Sequence, residues 1–574
     1  MKLVECVPNI SEGRRAEVYE AVAAAAAAVD GVTLLNVDPG ADTNRTVITF
    51  VGAPEPVLEA AFQLVRKGVE LIDMTSHRGA HSRIGAVDVV PFVPVSDVTM
   101  DDCAELARRL GERVGRELKV PVFLYEHAAS APHRRNLADI REGEYEGLAR
   151  KLRDPRWKPD FGPAELVPRS GATVIGARKF LVAYNVNLNT LDKRLANRVA
   201  FDIRERGRMK RDADDNPILD AKGEPVWEPG ILKSVKAVGW VIPEFDRAQV
   251  SINLTDLDVT PLHLVFDTCD ERARERGLRV TGSELVGLVP LSVLLEAGRH
   301  YLARMGRPTG VPESALVSTA IRTLGLSEVK PFDPAERVIE YRLAQPPRLA
   351  SMTVSGFVDE LSSESPAPGG GSVSALAAAM GAGLASMVAV LSHTKKGFEA
   401  KQEALDRIAV RAQQLKAQLL AAVDADTAAF DRLLDAMRMP KGTPEEIAAR
   451  DAALADATVH ASEIPLGVLE SCPEVIELCR EVGRIGLQAS LSDAGVGAQV
   501  ARAAAAGAYQ NVCINLAGLA DAKRREPLLA RADAAWARAR SLHADAEAEL
   551  LEALRRAAEA APASTESAAR RQKV

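Results

Sequence analysis

Along the first third of the chain, short apolar runs alternate with stretches whose apolar residues recur every three or four positions. The runs at 3–7, 32–37, 46–51, 86–95 and 120–125 have the length and content of strands, while 55–72 and the region around 100–118 carry helical spacing. Ser11 stands where it would cap a further helix running through Val29. The order βαββαβ predicts a sheet with helices on one face, a ferredoxin-like α+β arrangement. A Gly/Pro-rich crossing over 159–171 follows, and the pattern then restarts. A strand pair or one long strand covers 172–186, a helix 191–206, strands 235–242 and 249–254, a helix 261–276 and a strand 279–289. Residues 207–233 are charged and rich in Pro and Gly, as surface loops are.

Pro331, Pro334, Pro346 and Pro347 mark a linker. Beyond them strand signals stop, Ala dominates, and heptad-like apolar spacing predicts an antiparallel helix bundle. The expected chain is therefore multi-domain. Two α/β subdomains cover 1–179 and 180–328, a linker 329–350, an all-α helical domain 351–559, and a flexible tail 560–574. No short internal repeat is visible.

Composition narrows the class. With 574 residues the chain exceeds one compact core, and 47% hydrophobic with 26% charged residues is an ordinary globular balance. A net charge of −7 gives no nucleic-acid footprint. The six Cys (Cys6, Cys103, Cys269, Cys472, Cys479, Cys513) form no CxxC, so free thiols in a reducing compartment are expected. No secretory signal is evident at the start. Residues 373–391 run uncharged for a membrane-spanning length. Their Ala, Gly and Ser content suits close packing in a soluble bundle, and no membrane partner is expected.

The densest polar cluster is Asp73-Met-Thr-Ser-His77-Arg78-Gly-Ala-His81-Ser-Arg83-Ile-Gly85-Ala-Val-Asp88. A loop between a helix and a strand can hold an imidazole over a cleft while arginines bind carboxylates. It can equally be a solvated charged loop, and two His four apart without a third nearby ligand are a poor zinc site. Asn9 to Gly13 joins a strand end to a helix start, and Asp38-Pro-Gly-Ala-Asp42-Thr-Asn44-Arg45 has hairpin-turn composition. Farther on, Gly369, Gly370 and Gly371 leave backbone N–H groups open to a ligand, or simply form a hinge. Asp424 and Asp426 lie in a helical stretch, on different faces. An inward Asp among apolar groups has a raised pKa and can move protons. Asp493, in a Gly-rich setting, is a weaker candidate.

Taken together, VECVPNISEG, VDPGADTNRTVITFVG, HRGAHSRIGAVDVVPFVPV and GATVIGARKFLVAYNVNL resemble the transferase part of the formimidoyltransferase-cyclodeaminase family. APGGGSVSALAAAMGAGLASMV, VDADTAAF and GAYQNVCINL resemble its cyclodeaminase part. The resemblance runs in order along nearly the whole chain. It implies a cytoplasmic enzyme of histidine degradation, homo-oligomeric through its helical domain, with tetrahydrofolate as co-substrate and no metal. Its first activity moves the formimidoyl group of N-formimidoyl-L-glutamate to N5 of tetrahydrofolate. Its second closes 5-formimidoyltetrahydrofolate to 5,10-methenyltetrahydrofolate and releases ammonia.

By the same resemblance His81 is the transferase acid–base, with His77 as fallback, and Asp426 relays protons in ring closure. Asn9, Asp38, Arg45 and Arg83 fall among substrate-binding positions. Gly162, Pro163, Ala164, Glu165, Leu166, Val167, Pro168, Arg169, Ser170 and Gly171 fall where the family binds folate, as a rigid wall between subdomains, and Gly369–Gly371 lie against folate in the bundle. Ser82 stands where the family loop reads Pro, which loosens the segment after His81. Other readings are a chain with only one live half, an enzyme using a formyl donor, and a non-catalytic folate-binding scaffold. Separate assays with N-formimidoylglutamate and N-formylglutamate distinguish them.

Overall fold

The computed structural model describes residues 2–41, 43–79, 82–242, 245–343, 348–365 and 367–559. It divides into two compact units, Met1–Val293 with Ile321–Leu343, and Leu294–Ala320 with Ala344–Val574. The tail expected at 560–574 lies outside the described residues.

The first unit begins β1 (Leu3–Cys6), β2 (Asn9–Ile10), α1 (Ala16–Ala27), β3 (Val32–Gly40), β4 (Arg45–Gly52), α2 (Pro54–Leu71), β5 (Val87–Ser96), α3 (Met100–Arg113) and β6 (Val122–Glu126). It continues with α4 (Leu137–Arg141), α5 (Glu144–Lys151) and β7 (Thr173–Ala177). These seven strands share one sheet. β3 and β4 form an antiparallel hairpin, β4 and β5 flank β1 and β2, and β7 lies parallel between β5 and β6. Alternation explains its two faces. Ile48 and Phe50 of β4 enter a core built with α1, α2 and α3, while Arg45, Val47 and Thr49 line a cleft on the opposite face.

A second sheet follows, from β8 (Val182–Leu188), α6 (Lys193–Ile203), β9 (Arg208–Met209), β10 (Trp227–Glu228), β11 (Val235–Ile242), β12 (Arg247–Leu254), α7 (Leu262–Arg274) and β13 (Val280–Val286). Its order is β11-β12-β8-β13, all antiparallel. β9 and β10 pair only with each other, so residues 207–233 form a largely exposed hairpin excursion.

Several expectations are corrected here. Ser11 does not cap α1: its hydroxyl donates 2.7 Å to the Gly85 carbonyl. Glu12 accepts the N–H groups of Arg14 and Arg15 instead, because β2 pairing holds Ser11 in the sheet. The stretch 172–186 is two strands in two different sheets. Residues 291–324, for which the sequence pattern gave no element, form two helices, α8 (Leu291–Arg304) and α9 (Glu313–Leu324). The linker is structured in part. α10 (Pro334–Arg337) and α11 (Ile339–Leu343) lie within it, Val338 bridges Val289, and Ile339 is buried with Leu35 and Val51. Apolar side chains inside a proline-rich segment are worth burying, and they draw it onto the sheet.

The second unit is helical: α12 (Val354–Leu361), α13 (Gly370–His393), α14 (Gln402–Arg438), α15 (Pro444–Ile485), α16 (Leu491–Ala517) and α17 (Ala522–Glu559). α13 is the one described helix long and apolar enough to cross a membrane, yet more than half of that window is buried. Its Ala375, Ala378, Ala382 and Ala385 share a core with Ala494, Ala498, Ala501 and Ala505 of α16. A side chain on Gly381 would start 2.8 Å from the Gly497 carbonyl, so glycine is what lets these helices approach so closely.

Candidate functional site

The cleft of the first unit has a volume of about 1040 Å³ and is lined by both sheets. In register across one sheet, Asp38 and Asn9 both stand opposite Val47, and Asn9 also stands opposite Val89. Side chains on such a row lie about 5 Å apart. Asn9, Asp38 and Arg45 therefore come together on one wall. Ser82 lines the same cleft.

Arg45 donates from Nε to Asn9 Oδ1 at 3.0 Å and from Nη1 to Asp88 Oδ2 at 2.8 Å. Asp88 is wholly buried, and its Oδ1 accepts the Ile84 N–H at 2.9 Å. Its placement comes from a register shift. Asn9 pairs with Val89 and Ile10 with Val87, which leaves Asp88 as an extra residue on β5. Such a bulge re-aims a side chain. A second guanidinium, Arg141 at the end of α4, pairs with the same carboxylate oxygen. Deeper in the cleft, burial pushes the Glu5 carboxyl up to about 7, against the opposing charge of Arg178. Burial likewise pushes Tyr125 up to about 12, with Arg178 and Arg141 opposing. None of Glu5, Tyr125, Arg141 and Arg178 stood out in the sequence. The available signal was strand alternation, which puts Glu5 and Asn9 on cleft-facing positions.

His81 lies outside the described residues, so its neighbours carry the geometry. His77 is buried and does not line the cleft. Its Nε2 lies 3.0 Å from the Asn44 carbonyl and its Nδ1 3.3 Å from Arg83 Nε. A neutral ring donating from Nε2 satisfies both contacts, and desolvation lowers its pKa accordingly. Both ring nitrogens are engaged, so the fallback assignment of His77 as base is dropped. Arg83 is also engaged elsewhere. It donates to Glu144 at 2.7 Å and to Glu146 at 2.6 and 2.9 Å, and it is not among the cleft-lining residues. It fastens the loop to α5.

Residues 162–171 meet the same loop. Met74 N–H donates to Arg169 O, Ala86 N–H to Ser170 O, and Ala172 N–H to Ile84 O. Gly171 has a φ of +64°, and a side chain there would meet Gly85 Cα at 2.8 Å. Every one of these contacts stays within the first sheet's half of the unit. The segment braces the loop. Its Gly162, Ala164, Glu165, Pro168 and Arg169 remain exposed.

In the second unit Asp426, on α14, faces the start of α13. Ser372 Oγ lies 2.9 Å from Asp426 Oδ2 and 3.1 Å from the Val423 carbonyl. Burial raises the Asp426 pKa, while hydrogen bonds from the Ser372 hydroxyl and N–H oppose the rise. The first-turn N–H groups of α13 give the site a positive end. A side chain on Gly371 would start 2.5 Å from Asp426 Cγ, and one on Gly370 3.1 Å from Asn511 Nδ2. Gly370 and Gly371 thus admit the carboxylate on one side and the Asn511 amide on the other, while Gly369 opens to free space. Asp424 faces elsewhere and accepts the Leu349 and Ala350 N–H groups at 2.8 and 3.2 Å. Asp493 sits in the first turn of α16, where a carboxylate suits the helix end.

Three family models match. Residues 3–178 fit the formiminotransferase domain, N-terminal subdomain, residues 183–344 the formiminotransferase domain, and residues 353–534 formiminotransferase-cyclodeaminase. The formimidoyltransferase-cyclodeaminase of Mus musculus is 43% identical over 523 residues, which cover 91% of this chain and 93% of the relative. The glutamate formimidoyltransferase of Streptococcus pyogenes is 41% identical over 301 residues, covering 52% of this chain and 93% of that one. The methenyltetrahydrofolate cyclohydrolase of Methylorubrum extorquens is 38% identical over 189 residues, covering 32% of this chain and 91% of that one. With such agreement over more than nine-tenths of the mouse protein and of this one, the chain belongs to the formimidoyltransferase-cyclodeaminase family.

Proposed function

We propose that this chain is a bifunctional folate enzyme with one activity in each unit. The first unit transfers the formimidoyl group of N-formimidoyl-L-glutamate to N5 of tetrahydrofolate. The N5–carbon bond forms, the glutamate N–carbon bond breaks, and one proton moves from N5 to the departing amine. An imidazole with a pKa near neutrality serves both halves of that exchange. His81 is assigned this role on the family resemblance, supported by its chain neighbour Ser82 lining the cleft. Asn9, Asp38 and Arg45 on the cleft wall are assigned to substrate, and residues 162–171 offer folate an exposed edge attached to the loop that carries Arg83 and Ile84.

The second unit closes the ring. N10 attacks the formimidoyl carbon and loses its proton, and the imino nitrogen leaves as ammonia after gaining that proton and one from solvent. A carboxyl group with a raised pKa can take the first proton and deliver the second. The observation that carries this reading is Asp426, partly desolvated and held by Ser372 at the N-terminus of α13. Gly369–Gly371 leave room there for folate. The similarity to a cyclohydrolase supports a second reading, in which water also adds to the methenyl carbon. Enzyme-dependent decay of added methenyltetrahydrofolate tests it.

We assign the enzyme to histidine degradation in the cytoplasm, consistent with six free cysteines. We assign it a homo-oligomeric state through the helical unit. Exposed Val373, Met380 and Met387, seven residues apart on α13, support self-association. The test of function is a pair of variants. H81A should stop glutamate release from N-formimidoylglutamate, while D426N should release glutamate and accumulate 5-formimidoyltetrahydrofolate. Full transferase turnover by H81A, or unchanged ammonia release by D426N, removes the corresponding assignment.

A further inference from the structure

Strand alternation carries Glu5, Val7 and Asn9 to the cleft while Val4 and Cys6 enter the core. Directly across the two ladders from Glu5 stand Val51 of β4 and Val93 of β5. Such neighbours share a face and lie about 5 Å away, so the carboxyl leaves the backbone between two valines. Val51 is buried with Leu35 and Ile339, and Phe180 and Leu288 pack against that cluster. Phe180 and Leu288 also line the cleft, as do Val7 and Pro91. Glu5 is therefore a carboxyl group at the apolar end of a cleft that is polar at Asn9, Asp38 and Arg45.

Glu5 is 3% exposed, and its carboxyl accepts no hydrogen bond and forms no ion pair among the described residues. Its oxygens are not sealed from the cleft as the unbonded Arg141 Nε is. The charges acting on it are Arg178, which favours the ionised form, and Glu340, which opposes it. Arg178 donates to the Lys179 carbonyl at 3.0 Å and makes no ion pair with Glu5. Lys179 is itself paired with Asp256 and Asp258. A buried carboxylate without donors costs free energy, and a ligand that brings two N–H groups side by side removes that cost.

We propose that Glu5 is a specificity-determining residue for the pterin ring of tetrahydrofolate, accepting its N3–H and its 2-amino group on the two carboxylate oxygens. This rests on the transferase reading above. A flat ring with a two-donor edge suits both the apolar surface of Phe180 and Leu288 and the carboxylate beside it. A formimidoyl group carries a similar edge. Asn9, however, lies four strand residues from Glu5, at most about 13 Å, and there Asp38 is the carboxylate at hand. The experiment has an arm for each substrate.

The test follows glutamate release by the full chain, wild type and E5Q, above pH 7, where the free carboxyl is ionised. Wild-type turnover is measured first. Its absence removes the transferase reading and this proposal with it, whereas the outcomes below bear on Glu5 alone. For E5Q, KM for tetrahydrofolate is expected to rise about 10- to 100-fold, as the loss of a charge-assisted contact gives, with kcat and the KM for N-formimidoylglutamate within about threefold of wild type. A tetrahydrofolate lacking the 2-amino group supplies a readout that a merely structural role would not move. Wild type should handle it with a KM about 10-fold higher or more, and E5Q should distinguish it from tetrahydrofolate by less than about threefold. The wild-type half of that comparison needs no variant. Equal KM of wild type for the two folates, an unchanged KM for tetrahydrofolate in E5Q protein that melts like wild type, or a rise confined to N-formimidoylglutamate overturns the proposal.

Discussion

The variant G371A isolates the geometry of the bundle carboxylate. Gly371 sits in the first turn of α13, and a methyl group there would start 2.5 Å from Asp426 Cγ and 2.6 Å from Oδ2. Ordinary contact begins near 3.4 Å, so the carboxylate has to retreat by about 1 Å. It thereby leaves Ser372 Oγ, now 2.9 Å away. Losing that hydrogen bond costs about 1 kcal/mol, while Ala in place of Gly in a helix returns up to about 1 kcal/mol. Overall stability should therefore change little. Catalysis is less forgiving, because a displacement of about 1 Å in a reacting group can cost about 100-fold. The assay supplies 5-formimidoyltetrahydrofolate directly and follows ammonia and methenyltetrahydrofolate, with thermal melting alongside. The expected result is ammonia release down about 100-fold, a melting temperature within a few degrees of wild type, and unchanged transferase turnover. Ammonia release within threefold of wild type would show that Asp426 need not occupy this position, and would refute the reasoning.

Two further predictions concern the first unit. D88N leaves Arg45 and Arg141 without their common counter-ion, and removing one member of a buried ion group costs about 3–5 kcal/mol. Urea unfolding should show that loss in the first unit while the helical unit keeps its midpoint. Glu5, with a carboxyl raised to about 7 by burial, gives a pH signature. The folded state holds its proton more tightly than the unfolded state. Its contribution is therefore full below the unfolded value near 4.5 and is lost as pH rises through about 7, by about 3 kcal/mol in all. E5Q should flatten this dependence between pH 5 and 8.5, and identical pH profiles for E5Q and wild type would contradict it.

Much of the architecture was legible because it rests on local periodicity. Strand alternation in Arg45–Gly52 separates Ile48 and Phe50 from Arg45, Val47 and Thr49, which is also what builds the cleft wall. The change to Ala-rich spacing after residue 350 marked the helical unit, and the Asp424/Asp426 pair divided as helical geometry requires. What escaped depends on contacts distant in sequence. Ser11 has the residue type of a cap, but pairing of β2 takes its hydroxyl to Gly85, 74 residues away. Arg83 looks like a free ligand for a carboxylate until Glu144 and Glu146 are brought to it. Arg141 lies in an unremarkable helix, and only the bulge at Asp88 gives it a role. The helices at Leu291–Arg304 and Glu313–Leu324 lie where no element was read from the sequence.

The most direct test of the whole account is a stoichiometry. Purified full-length enzyme, N-formimidoyl-L-glutamate and tetrahydrofolate are mixed, and glutamate, ammonia and methenyltetrahydrofolate are quantified in the same sample. The account predicts that the three products appear in equal amounts at completion. Glutamate released with 5-formimidoyltetrahydrofolate persisting and no ammonia formed would contradict it.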